Sequence, residues 1–257
     1  LKKSCNFVAD MKKVIIILLL AGCLVACHRK THVVEATGEV IMVDSTLEAI
    51  QASAYLLDLA PIKANMEHEL NIPIGYAPEA LPVYAPECPM LNWASDALLA
   101  IARERCPEPV DVAVVNIGGM RCEWAAGDIT FRNVFELMPF DNMLVVLTMK
   151  GNDLQQLCEI FASTGGQGIA GMRIQVIGDK TMQQEARVTI NGKALDMDRT
   201  YTVATSDYLS QGNDGMLPLK YHTQCWNSQE KIRDLYIEHI KQVKTVTAKV
   251  DGRMGVH

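Results

Sequence analysis

"VVNIGGMR", Val114 to Arg121, is the stretch on which the reading of this chain turns. An apolar run ends in Asn116, two glycines follow, and a guanidinium stands two residues beyond them. Val110–Val115 reads as a short apolar strand. Gly118 and Gly119 let the backbone take positive φ and let a ligand come close. Arg121 then offers a planar fork of donors suited to phosphate or carboxylate. The same string also fits a tight turn followed by a surface arginine, so its surroundings must decide.

Those surroundings are an ordinary globular composition. The chain has 257 residues, 49% hydrophobic and 21% charged, enough for one large domain or two small ones. The formal net charge is −6, which argues against a nucleic-acid partner, since that would want a basic face. A small anion can still bind locally on an acidic surface.

The N-terminus reads as a targeting segment. "MKKVIIILLLAGCLVAC" (Met11–Cys27) carries Lys12 and Lys13, then an apolar run of signal length, then small residues before a cysteine. The run is short for a membrane-spanning helix. "LAGC" and "LVAC" both resemble a lipoprotein cleavage box. Cys27 is preferred over Cys23 because it leaves the more usual signal length after Met11. Residues 1–10 read as an upstream extension. The expected organisation is a signal peptide over 1–26, a tether over 27–39 and a domain over 40–252. Removing residues 1–26 takes away four Lys and one Asp, so 24 basic and 30 acidic residues become 20 and 29, net −9.

Of the remaining cysteines, Cys27 would carry the lipid, leaving Cys88, Cys106, Cys122, Cys158 and Cys225. Their spacing matches no metal pattern. Cys158 falls in an apolar helical stretch and reads as core. Cys88 and Cys106 are candidates for a bridge in an oxidising compartment.

Strands and helices are interspersed. His32–Asp44 alternates as a strand. Leu47–Leu70 has helical spacing interrupted at Pro61. Residues 71–89 form a Pro-rich connection. Met90–Arg105 is an amphipathic helix stopped by Pro107, and Thr130–Leu137 a short helix. Met143–Met149 is a strand and Asp153–Ala162 a helix. Met172–Ile177 and Arg187–Ile190 are strands, the latter closed by an Asn191-Gly192 turn. Tyr201–Thr205 is a strand, Ser228–Val243 a helix and Thr245–Val250 a last strand. The fold class expected is mixed α/β or α+β, a mixed sheet with packed helices.

Two further stretches carry chemistry. "ELMPFDNMLVVLTMKGNDLQQL" (Glu136–Leu157) has a Pro-Phe pair before a strand, then "KGND", whose Asn152 or Asp153 could cap the next helix. "VATSDYLSQGNDGM" (Val203–Met216) runs from a strand into Tyr208 and a Gly-Asn-Asp-Gly loop. Tyr208 suits stacking on a flat ligand and Asp214 suits accepting from hydroxyls. The alternative is an ordinary loop with an Asp-Gly turn.

In this order, "NIGGMR", "GDIT" (Gly127–Thr130), "PFDN" (Pro139–Asn142), "KGNDL" and "SDYLSQGNDG" resemble the motifs of the 5′-nucleotidase family's C-terminal domain. "PECPMLNWASDAL" (Pro86–Leu98) and the helical lead-in from Tyr55 to Leu81 are similar to segments upstream in that family. The resemblance spans roughly residues 40 to 250. It implies that Arg121 contacts the nucleotide, that Tyr208 takes the place of a base-stacking Phe, and that Asp214 binds the ribose hydroxyls. It also implies that Asn116, Gly118 and Gly119 form the turn that sets the arginine. Two features depart from the family. The loop Gly165–Gly171, aligned with its other stacking aromatic, has no aromatic, and the helix from Asp153 to Ser163 has no arginine.

The family hydrolyses phosphate at a two-metal centre in a separate domain, built from Asp, His and Asn ligands. His28, His32, His68, His222, His239 and His257 lie in no Gly-Asn-His-Glu motif. The expectation is therefore no catalytic residue, no metal site and no cofactor in this chain, with divalent ions held by a partner metallophosphatase chain. The partners expected are a nucleotide or nucleoside, that catalytic chain, and a membrane met through the lipid alone, outside the bacterial cytoplasm. The alternatives are a non-catalytic binding lipoprotein and a decayed interaction scaffold.

Overall fold

A computed structural model describes Gly38 and residues 54–178 and 185–256 of the chain. The expected signal segment, Cys27 and the strand expected over His32–Asp44, Gly38 apart, lie outside the described residues. Contacts divide the chain into Leu1–Ser53 and Ala54–His257, and the second unit carries the fold described below.

Its centre is a five-stranded sheet in the order β10 (Gln224–Lys231), β4 (Met143–Lys150), β9 (Thr200–Ser206), β2 (Val112–Val115) and β5 (Gly168–Ala170). β2 and β9 run parallel, and the other pairs are antiparallel. The apolar content of the middle strands follows from burial on both faces. Ala113, Val115, Leu144 and Val146 face one core, while Val112, Val114, Val145 and Leu147 face the other.

The first core is closed by α2 (Pro89–Arg105) and α6 (Ile232–Val243). Trp93 of α2 packs against Trp124 and against Tyr236 of α6, with ring centroids 4.9 and 5.2 Å apart. The Tyr236 hydroxyl is satisfied by the Ala94 carbonyl at 2.9 Å, which lets a phenol lie fully buried. The β1 (Pro73–Ala77)–β3 (Gly127–Thr130) ribbon borders this core, contributing Ile74, Ala77 and Ile129, and leads into α3 (Phe131–Leu137). Thr130 caps α3 in a reciprocal box with Asn133.

The second core lies under α4 (Gly151–Thr164) and a four-stranded sheet ordered β11 (Met254–Val256), β6 (Met172–Ile177), β7 (Glu185–Ile190) and β8 (Lys193–Ala194). Between β7 and β8, Asn191 and Gly192 both have positive φ, 51° and 74°, as a two-residue hairpin turn requires. Cys158 is fully buried in α4, and burial holds its thiol well above its ordinary range.

Several expectations are corrected. Helix α1 (Ala54–Leu70) runs through Pro61, which removes one amide donor without ending the helical path. The helix expected from Asp153 starts at Gly151. Its cap is Lys150, with no side-chain hydrogen bond, so neither Asn152 nor Asp153 caps it. Ser228–Lys231 is the bulged end of β10, not helix: Gln229 has φ of 62°, Lys231 pairs with Met143, and the helix begins only at Ile232. Thr245–Val250 forms no strand beyond a single bridge from Thr245 to Tyr76. The last strand is Met254–Val256, which pairs parallel to β6. Cys88 and Cys106 are both free. They cap opposite ends of the 17-residue α2, roughly 25 Å apart at 1.5 Å per residue, far beyond disulfide reach.

Candidate functional site

The register gathers the candidate loops at one end of the central sheet. β2 and β9 are parallel, so Asn116 and Asp207 leave their strands at the same edge. β5 and β4 are antiparallel to these neighbours, and Val115↔Gly168 and Leu144↔Ser206 bring their starts to that edge too. The turn after β2, the loop after β9, Gly165–Gln167 and Phe140–Asn142 are thus brought together by topology alone. Carboxyl ends of strands in open sheets are a common address for ligands.

Ile117–Gly119 is a single 3₁₀ turn. A Cβ on Gly119 would stand 2.7 Å from the Asn116 Oδ1, so only glycine lets that amide fold back over the turn. The Ile117 amide donates to Gln167 Oε1 at 2.8 Å, fastening the turn to the loop before β5. Arg121 is exposed and donates from Nη1 to the Gly118 carbonyl at 3.2 Å, using one of its five donors.

The second loop starts with α5 (Asp207–Ser210), capped by the Ser206 hydroxyl, which accepts from the Leu209 amide at 3.1 Å. The Asp207 carboxylate accepts from the amides of Met143 and Tyr208, each at 2.9 Å, joining this loop to the start of β4. Beyond it, Gly212, Asp214 and Gly215 have φ of 82°, 53° and 75°. That left-handed path is tolerated by glycine and, among other residues, best by Asn and Asp.

Asp214 connects the two loops. Its Oδ2 accepts from Asn116 Nδ2, and its Oδ1 accepts from the Tyr208 hydroxyl at 2.9 Å. Asn213 Nδ2 donates to the Tyr208 carbonyl at 2.8 Å. Pairing with Asp214 is the first cause that pushes the Tyr208 hydroxyl's pKa up, so it remains a donor at neutral pH. Tyr208 is 42% exposed.

Asn116, Gly118, Gly119, Tyr208 and Asp214 therefore meet, with Arg121 bonded to the same turn. Gly118, Arg121, Tyr208 and Asp214 are exposed there, Asn116 is half-buried and Gly119 is buried. The sequence reading missed two residues there. Gln167 props the turn, and nothing in "GGQGIAG" announces it. Phe140 is 39% exposed in the loop entering β4, three residues before Met143, whose amide donates to Asp207. Its motif was legible, but its exposure was not. Asp141 next to it is held by Lys231 and Arg233 at 2.9 and 2.7 Å, and these bonds keep its carboxyl below the usual range.

Among the described residues no three His, Cys, Asp or Glu side chains gather as a metal-ligand set.

The mixed sheet, buried on both faces and with its turns collected at one end, defines a mixed α/β class of domain. Within that class the assignment is specific. Residues 73–220 match the family described as 5′-nucleotidase, C-terminal domain, and the chain belongs to that family. It is 27% identical over 195 residues to the protein UshA of Yersinia enterocolitica, covering 75% of this chain and 35% of UshA. It is 28% identical over 215 residues to the trifunctional nucleotide phosphoesterase protein YfkN of Bacillus subtilis, covering 77% of this chain and 15% of that one. Among solved structures, it matches the 5′-nucleotidase precursor of Thermus thermophilus with a TM-score of 0.68 and 26% identity, covering 79% of this chain and 42% of that one. The chain thus spans well under half of each of these relatives.

Proposed function

We propose that this chain is the nucleotide-recognition domain of a 5′-nucleotidase-type phosphohydrolase. Arg121 meets the phosphate, the Tyr208 ring covers the base, and Asp214 accepts from the sugar hydroxyls. Asn116, Gly118 and Gly119 shape the turn that carries the arginine, and Phe140 offers a second aromatic surface nearby. The domain itself has no catalytic residue and no cofactor. It presents its ligand to a metallophosphatase centre on a separate chain, in extracytoplasmic nucleotide breakdown, from a membrane reached through a lipid on Cys27.

The observation that carries this reading is the joining of two sequence-distant loops at Asp214, with an aromatic ring bonded to it and a guanidinium bonded to the Gly118 turn. Base, sugar and phosphate need a π-face, a hydroxyl acceptor and a cation, and these three chemistries occur together here. The net charge of −6 speaks against a nucleic-acid ligand.

Calorimetry of the full chain with nucleoside monophosphates, nucleosides and inorganic phosphate tests this. Binding that needs both base and phosphate is expected. A folded chain that binds none of them at millimolar concentration overturns the reading. Hydrolysis is expected only after a metallophosphatase domain and divalent cations are added. Metal-dependent turnover by the chain alone would overturn the division of labour.

A further inference from the structure

We infer that the Tyr208 hydroxyl is an internal substitute for a sugar hydroxyl and sets the sugar selectivity of the site. The inference rests on the proposed role of Asp214 as the sugar acceptor.

The Asp214 carboxylate is already engaged on both oxygens, by Tyr208 on Oδ1 and by Asn116 on Oδ2. The two contacts differ in kind. The Asn116 amide is buttressed over Gly119, where an added Cβ would meet its Oδ1 at 2.7 Å, so that donor is built into the turn. The Tyr208 hydroxyl is carried by a side chain that is 42% exposed, on a one-turn helix. It is the donor that an incoming ligand can displace. A sugar hydroxyl approaching Oδ1 must therefore replace or crowd an existing charge-assisted hydrogen bond, and gains only the difference. A phenylalanine at this position would leave Oδ1 unclaimed, and that is the residue type the related motif carries.

The consequence is a site that gains little from ribose hydroxyls. The hydroxyl of Tyr208 lowers affinity for ribonucleotides and leaves deoxyribonucleotides nearly untouched. The ratio of the two affinities isolates this effect, because a merely structural role for Tyr208 would move both ligands together.

The experiment is calorimetry of adenosine, 2′-deoxyadenosine and 2′,3′-dideoxyadenosine monophosphates with the full chain and its Tyr208→Phe variant. In the wild-type chain the three ligands should bind within a few-fold of one another. In Tyr208→Phe the ribonucleotide should tighten by about threefold to tenfold while the dideoxy compound stays unchanged. An unchanged ratio in two proteins that both bind, or a weaker ribonucleotide in Tyr208→Phe, overturns the inference and leaves the binding reading standing. Absence of any nucleotide binding by either folded protein defeats the binding reading itself, and the inference with it.

Discussion

Asn116 and Asp214, 98 positions apart in sequence, are joined by a hydrogen bond from Nδ2 to Oδ2. The contact fixes one candidate loop against the other. Asn116→Ala should leave the Asp214 carboxylate without its built-in donor and let the second loop drift. Loss of a hydrogen bond to a charged group costs about 1.5–3 kcal/mol where it is sheltered, and less where it is exposed. Nucleotide affinity should fall several-fold, with little change in melting temperature, which calorimetry and thermal denaturation read separately.

Arg121 is exposed, and its bond within the fold is to a carbonyl three residues back. Arg121→Ala should therefore cost almost no stability. It should weaken nucleoside monophosphates by roughly tenfold or more, the effect of losing a charged contact to phosphate. Unphosphorylated nucleosides should be unaffected. Equal weakening of both ligand classes in calorimetry would contradict a phosphate role.

Gly151 begins α4 against the turn that precedes β9. A Cβ there would come within 2.0 Å of the Asp196 carbonyl oxygen, a backbone atom that cannot swing aside. Gly151→Ala should destabilise by about 1–3 kcal/mol or more through forced displacement of that turn. A drop of several degrees in melting temperature is expected, and an unchanged one would show that the turn yields freely.

Asp251 accepts from Arg253, and that bond, ahead of the charge of Arg253 and of Arg173, holds its carboxyl below the usual range. A carboxylate lowered in the folded state stabilises the fold above its unfolded value, near pH 4. That contribution is lost as pH falls through the folded value. Melting temperature should decline below about pH 4, and Asp251→Asn should lower it at pH 7 while flattening the acid slope. Parallel curves for the two proteins between about pH 2.5 and pH 7 would remove Asp251 from the account.

The lipid anchor is a proposal about residues outside those described. Intact mass of protein extracted from membranes should show an N-terminus at lipid-modified Cys27. An N-terminus at Cys23 would move the site, and an unmodified Met11 would remove the anchor.

Local sequence determined much of this protein. The apolar run before Asn116 reads as a short strand, and Pro107 as the stop of α2. Asn191-Gly192 had to be a hairpin turn, since both positions need positive φ. The ordered motifs were enough to give the family. These signals are legible because they depend on side-chain period and backbone freedom within a few residues. Tertiary structure decided the rest. Ser228–Glu230 form a bulge held by local bonds to the Asn227 and Ser228 side chains, and only the pairing of Lys231 with Met143 of β4 returns the chain to the sheet before α6 begins. Met254–Val256 is too short to read as a strand without β6 beside it. The Tyr208–Asp214–Asn116 chain exists because β2 and β9 run parallel as neighbours, and the prop from Gln167 because antiparallel β5 starts at the same end. Parallel pairing sends two strand ends to one edge whatever the separation in sequence. A hydrogen bond between side chains on those ends is a property of that edge and leaves no periodic trace in the chain.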